Sequence, residues 1–138
     1  MSHTEPQETI VIAEDSAPNR KILAHLLSKL GYNVVACENG EAALNALNSS
    51  EHSNVVLLIS DIMMPVMDGL ALLRAVREND KFRALPVVLV TAVFEKEYVV
   101  RAKDMNVNGY ILKPVTFDRV SAKLTELFPD KKFPKLAG

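Results

Sequence analysis

Glu14 with Asp15, then Asp61, Thr91 and Lys113, each stand just after a short apolar run, and together they read as a site for a divalent cation and a phosphoryl group. Carboxylates gathered at one place repel. At about 4 Å a pair of unit charges costs on the order of 1 kcal/mol in water and about 4 at an effective dielectric of 20. A bound cation relieves that cost. Hard oxygen ligands select Mg2+ or Ca2+, and Mg2+ takes one or two carboxylates, several waters and a phosphate oxygen. A hydroxyl and an ammonium do nothing for a bare cation, so Thr91 and Lys113 imply that an anion enters as well. A phosphoryl group on a carboxylate gives the metal an oxygen, Thr91 an acceptor and Lys113 a charge partner. Asp61 is the expected acceptor because it stands alone after the most apolar run, whereas Glu14 and Asp15 are adjacent and better placed as metal ligands. A carboxylate acts as a nucleophile through an acyl phosphate, and the transfer rests on positioning and charge neutralisation more than on acid–base work.

Each residue alone has a plainer reading. Glu14 and Asp15 could be a solvated strand end and helix cap, and Asp61 a turn residue ahead of Pro65 and Asp68-Gly69. Thr91 could be an ordinary strand end, and Lys113 a surface lysine, as most lysines are. The case rests on their shared placement. Other reactive types do not join them. His25 has no second His or Cys at metal spacing, His3 and His52 fall in polar segments, and Cys37 has no His nearby in sequence. Met63, Met64 and Met67 read as packing for the loop after Asp61.

Residues about 100 positions apart meet only if the chain brings the ends of several strands to one edge, as an open parallel sheet does. The pattern predicts strands at 9–13, 33–36, 54–60, 87–90 and 109–112. The unbroken run at 55–59 suits a strand covered on both faces. Between the strands lie helical segments. In the first, Ile22, Leu23, Leu26, Leu27 and Leu30 recur at helical spacing, with Ser16 or Asp15 as cap, Pro18 in the first turn and Gly31 as stop. The others are expected at 41–47, 69–78, 96–105 and 117–127, the fourth being poor in apolar residues. Alternation of this kind predicts an α/β domain, with right-handed crossovers placing helices on both faces.

With 138 residues, 49% of them hydrophobic and 24% charged, the chain suits one folded domain, expected over residues 8–129 with mobile tails at 1–7 and 130–138. A net charge of -1 argues against a general nucleic-acid binder. A single cysteine allows no internal disulfide, which fits the cytoplasm. Residues 1–8 carry no apolar signal core, and no apolar run reaches the roughly 20 residues of a membrane span.

The stretches IVIAEDSAPNR, LLISDIMMPVMDGLALL, PVVLVTA and GYILKPV, in this order and spacing, resemble the receiver domains of two-component response regulators, over about residues 8–129. The resemblance implies a flavodoxin-like (βα)5 fold with strand order 2-1-3-4-5, as in chemotaxis receivers. It implies that Asp61 is the phosphoacceptor, supplied by a phosphohistidine on a sensor histidine kinase or a phosphotransfer protein. Glu14, Asp15 and Asp61 would hold Mg2+ with the backbone carbonyl of Met63, and Thr91 and Lys113 would contact the phosphoryl group. Tyr110 matches an aromatic whose rotamer is coupled to Thr91, and Ala92 a small residue that leaves the phosphoryl group room. The Lys113-Pro114 peptide matches one that is usually cis. Met63 and Val93 occupy positions that modulate hydrolysis; both are apolar and cannot orient a water, so a long-lived phosphoryl state is expected.

Such a domain is a switch that catalyses only its own phosphoryl transfer and slow autodephosphorylation. Phosphorylation adds roughly two negative charges; Thr91 would move toward them and Tyr110 turn inward, altering the fourth helix, fifth strand and fifth helix (α4-β5-α5) for a downstream protein or a second copy. No nucleic-acid or membrane contact is expected. The alternatives are a receiver cut from a larger transcription factor, hybrid histidine kinase or cyclic-dinucleotide enzyme, a Mg2+-dependent phosphatase with an Asp nucleophile, and a flavodoxin-like cofactor binder. The phosphatase would want an acid two residues after Asp61, where Met63 stands, and the acidic EDSAPN segment would repel a cofactor phosphate.

Overall fold

The computed structural model describes residues 7–49, 54–92 and 96–131. Strands and helices alternate as β1 (Thr9–Ala13), α1 (Ala17–Lys29), β2 (Asn33–Cys37), α2 (Gly40–Asn48), β3 (Val55–Asp61), α3 (Gly69–Glu78), β4 (Val87–Thr91), α4 (Lys96–Lys103), β5 (Gly109–Leu112) and α5 (Phe117–Leu127). The five strands form one sheet in the order β2-β1-β3-β4-β5, and every neighbouring pair is parallel. The expected fold class and strand order are thus observed.

The central strands read as continuous apolar runs because both faces are covered. Alternate side chains go to opposite sides of the sheet. Val11, Leu58, Val87 and Leu89 pack with Ala43, Leu47, Leu72, Leu73 and Val76 of α2 and α3. Ile10, Ile12, Leu57, Ile59, Val88 and Val90 pack with Leu23, Leu27, Val120 and Leu124 of α1 and α5.

A short polar side chain starts four of the helices, accepting an amide hydrogen bond in the first turn. Ser16 accepts from Asn19 N, Asn39 from Ala42 N, Asp68 from Ala71 N and Thr116 from Arg119 N. Because Ser16 caps α1, Asp15 is not used for that purpose. Gly31 follows α1 at φ +99, the left-handed geometry that ends helices.

The structure departs from the sequence reading by one residue at the ends of α2 (Gly40–Asn48), β3 (Val55–Asp61) and β4 (Val87–Thr91), and in three further places. β2 runs to Cys37 because that residue pairs with Ala13 at the end of β1. α4 stops at Lys103, short of 105, and the chain turns through Asn106 at φ 57, a conformation that asparagine tolerates. Ile22 does not join the buried stripe of α1; it is 50% exposed and lines a hollow with Glu14, Asn19, Lys113, Pro114 and Val115. Residues 50–53, part of the expected loop before β3, lie outside the described residues.

Arg77, in the last turn of α3, ties several segments together. Its guanidinium donates to the carbonyls of Leu85 at 2.7 Å, Asn106 at 2.9 Å, Met105 at 3.2 Å and Arg83 at 3.2 Å, and to Asn108 Oδ1 at 2.8 Å. Asn108 Oδ1 also accepts from Val87 N at 2.8 Å. Arg77 therefore fastens the lead-ins to β4 and β5 and the turn after α4 onto α3.

Gly69 opens α3 against the end of β3, donating its N–H to Ile62 O at 2.8 Å. A Cβ there would stand 2.4 Å from Asp61 O and 2.9 Å from Ile62 Cα, both main-chain atoms. Gly69→Ala is expected to cost about 1–3 kcal/mol in urea unfolding, the usual range for overpacking. An unchanged midpoint would show that β3 and α3 can separate freely.

Candidate functional site

The register places the chemistry. Ala13 pairs with Ser60, so the residues that follow, Glu14 and Asp61, emerge side by side from β1 and β3. Asp61 pairs with Val90 and Thr91 with Leu112, so Thr91 and Lys113 continue the same rim. Lys113 N donates to Thr91 O at 2.8 Å, extending the ladder by one bond.

On that rim, Glu14, Asp15 and Asp61 offer carboxylate oxygens that all lie within 4.8 Å of one another. Glu14 and Asp61 are buried and Asp15 is exposed, so the cluster opens to solvent on one side. Asp61 Oδ2 accepts from Lys113 Nζ at 3.0 Å and Oδ1 from Ile62 N at 2.8 Å. Glu14 Oε2 accepts from Ser16 N at 3.0 Å. With all three carboxylates ionised, one ammonium leaves the site short of two positive charges, and the donors are hard oxygens, so a divalent cation of the Mg2+ or Ca2+ type fits the cluster.

Thr91 is buried beside this cluster, its hydroxyl 3.2 Å from Ala92 O, and Ala92 follows half-buried. The Lys113-Pro114 peptide is cis. The Tyr110 hydroxyl donates to Val99 O of α4 at 2.9 Å, linking β5 to that helix. Met63 is 48% exposed. Val93 lies outside the described residues. Cys37 is buried at the end of β2, and burial pushes its thiol pKa up; His25 is exposed on α1. Neither enters the site. One residue that sequence reasoning passed over borders it: Arg20, whose Nη1 donates to Glu14 O at 2.8 Å. An arginine one helical turn after the cap was the only trace, and its acceptor is a carbonyl, which every residue carries.

Burial pushes the Glu14 carboxyl up from 4.5 to about 7, the Asp61 charge and a hydrogen bond with Asp15 adding to it while the Ser16 amide and Lys113 act in the opposite direction. The folded protein thus keeps a proton that the unfolded chain releases near 4.5. The stability this brings is complete below that value and is lost as pH rises through about 7. Each pH step of one between those two values is worth roughly 1.4 kcal/mol, reduced because solvent reaches the cluster. Metal-free protein is therefore expected to lose about 2 kcal/mol between about pH 5 and 8 relative to Glu14→Gln. Urea unfolding of both proteins across that range measures it, and parallel curves would place the proton elsewhere.

The family model for the response regulator receiver domain matches residues 10–125 of this chain. The chain belongs to the receiver family. This receiver is 37% identical over 120 residues to the chemotaxis protein CheY of Pseudomonas aeruginosa, a match covering 86% of the chain and 94% of that relative. It is 33% identical over 119 residues to chemotaxis protein CheY-3 of Vibrio cholerae, covering 86% and 90%. Among solved structures, the receiver resembles the signal receiver domain of a signal transduction histidine kinase from Syntrophus aciditrophicus, with a TM-score of 0.76 at 30% identity over 95% of this chain and 99% of that one. CheY4 of Vibrio cholerae shares the fold, with a TM-score of 0.80 at 24% identity over 89% and 100%. Proteins of this family are signalling components of two-component phosphorelays rather than conventional enzymes. Among the described residues no helix is long and apolar enough to cross a membrane.

Proposed function

We propose that this receiver accepts a phosphoryl group on Asp61 from a phosphohistidine of a sensor histidine kinase or phosphotransfer protein, with Mg2+ at Glu14, Asp15, Asp61 and the Met63 carbonyl. One observation carries the reading: a buried aspartate, paired with a lysine, lies within a cluster of carboxylates that wants a divalent cation. An Asp61 oxygen attacks phosphorus; the new O–P bond replaces the donor's N–P bond, and the histidine nitrogen leaves with the electron pair. Lys113 stands on Asp61 Oδ2 and follows the charge as it spreads onto the phosphoryl oxygens. Thr91 supplies a hydroxyl donor, and the small Ala92 leaves room. Mg2+, when bound, supplies charge neutralisation to a transfer that depends on it.

Turnover beyond this step is limited to slow autodephosphorylation, because the exposed thioether of Met63 cannot orient a water. The altered face is α4-β5-α5, where Val100 and Leu112 are exposed apolar groups. Thr91 moves toward the phosphoryl group, and Tyr110 turns away from Val99 O, freeing α4. A downstream protein or a second copy binds there, in the cytoplasm, without DNA or membrane contact by the domain, whose unit is residues 8–129. The second reading is a receiver within a larger regulator or hybrid histidine kinase, favoured by the resemblance to a kinase-borne receiver.

The test is acetyl phosphate with Mg2+. One phosphoryl group per chain is expected by intact mass, with amide shifts at Asp61, Thr91 and Tyr110 and none in the presence of a chelator. Once donor is removed, the label is expected to persist for minutes or longer. Loss within seconds would contradict the role given to Met63, and a protein that ignores both magnesium and phosphodonor would end the reading.

A further inference from the structure

The turn between β1 and α1 carries two of the cluster's three carboxylates, and its geometry is held from three sides. Glu14 N donates to Cys37 O of β2 at 3.0 Å. Ser16 N donates to Glu14 Oε2 at 3.0 Å. Arg20 Nη1 reaches back from α1 to Glu14 O at 2.8 Å. That carbonyl belongs to the peptide joining Glu14 to Asp15, so its direction sets the course on which both side chains leave the turn. Asp15, which is exposed, has little packing to orient it and depends most on that peptide plane. Arg20 is itself half-buried, and its main-chain N–H is committed to Ser16 O at 2.8 Å in the first turn of α1. The guanidinium is therefore launched from a fixed point.

We propose that Arg20 is a positioning residue for the acidic cluster: by holding the Glu14–Asp15 peptide it aims both carboxylates at Asp61 and so sets the affinity for a divalent cation. This rests on the reading of the cluster as a Mg2+ site. A fixed positive charge beside a cation site weakens binding by repulsion, so removing charge alone would tighten it. Losing the aim of two ligands weakens it, and residues that orient metal ligands typically contribute about 10-fold or more to affinity. The sign of the change thus separates the two roles.

Arg20→Met removes donor and charge at similar bulk. Calorimetric titration with Mg2+ is expected to give binding about 10-fold weaker than wild type, with Arg20→Lys recovering most of the loss because an ammonium still donates. A second measurement needs no metal. In metal-free protein, Arg20→Met is expected to speed amide exchange at Glu14 and Ser16 about 10-fold while β4 amides keep their protection, showing an intact fold. Mg2+ binding that is unchanged or tighter in Arg20→Met, or unaltered exchange at those two amides, would overturn the proposal. Wild-type protein that ignores Mg2+ while the two amides respond would support the positional role and overturn the Mg2+ reading instead.

Discussion

Asp61→Asn is expected to abolish labelling by acetyl phosphate, by at least about 1000-fold, while the protein stays folded. The amide oxygen is a poor nucleophile, and among the described residues the carboxylates clustered with it are those of Glu14 and Asp15. Glu14 is engaged by the Ser16 amide and, as a proposed Mg2+ ligand, is turned to the cation, and Asp15 is the exposed member of the cluster. The fold should tolerate the change. Asp61 Oδ1 accepts from Ile62 N, and an amide oxygen can do the same. Lys113 loses its ion pair, but its side chain is 33% exposed and can hydrate. Removing one of three crowded carboxylates also relieves repulsion on Glu14. The net change in unfolding free energy is therefore expected to stay within about 1 kcal/mol. Intact mass after incubation with donor and Mg2+ reads the first outcome, and urea unfolding the second. Full labelling of the variant would move the acceptor to another residue.

The second large effect concerns stability. Arg77→Met is expected to destabilise the protein by roughly 3–5 kcal/mol, with a fall in Tm of roughly 10–20 °C. The guanidinium serves four main-chain carbonyls and the Asn108 side chain, on segments up to 31 residues away in sequence. Without it those acceptors lose a charged donor together, and Asn108, which also holds Val87 N, loses its brace. Burial lowers the Arg77 pKa, yet a guanidinium stays protonated at any ordinary pH. Arg77→Lys should recover only a fraction, because one ammonium cannot span a fork of acceptors. A loss under about 1 kcal/mol in Arg77→Met would mean that water replaces the guanidinium at little cost.

The contrast between these residues shows what a sequence displays. The sheet was legible because β1, β3 and β4 are buried on both faces, which forces unbroken apolar runs bounded by polar residues. The rim was legible for the same reason: Asp61, Thr91 and Lys113 stand where the runs stop, and the topology does the rest. Arg77 and Arg20 were not, since their partners are carbonyls and any residue type has one. The end of α4 was missed because residues 104–106 carry no glycine or proline, and Asn106 makes the left-handed turn instead. Ile22 fits the helical period by spacing, yet the flank of α1 it occupies looks toward Lys113 and Pro114 and not into the core. Nor does any pattern of letters reveal that Glu14 titrates near neutrality, which depends on burial and on Asp61, distant in sequence.

Arg77 and Asp61 lie at opposite ends of α3, whose 10 residues span roughly 15 Å. Moorings at one end and reactive groups at the other amount to a division of labour within a single sheet. On the proposed reading of Asp61 as acceptor, substitutions around it would retune how fast a signal is written and erased without disturbing the anchorage, so the timing of such a switch would be free to drift while its architecture stays put.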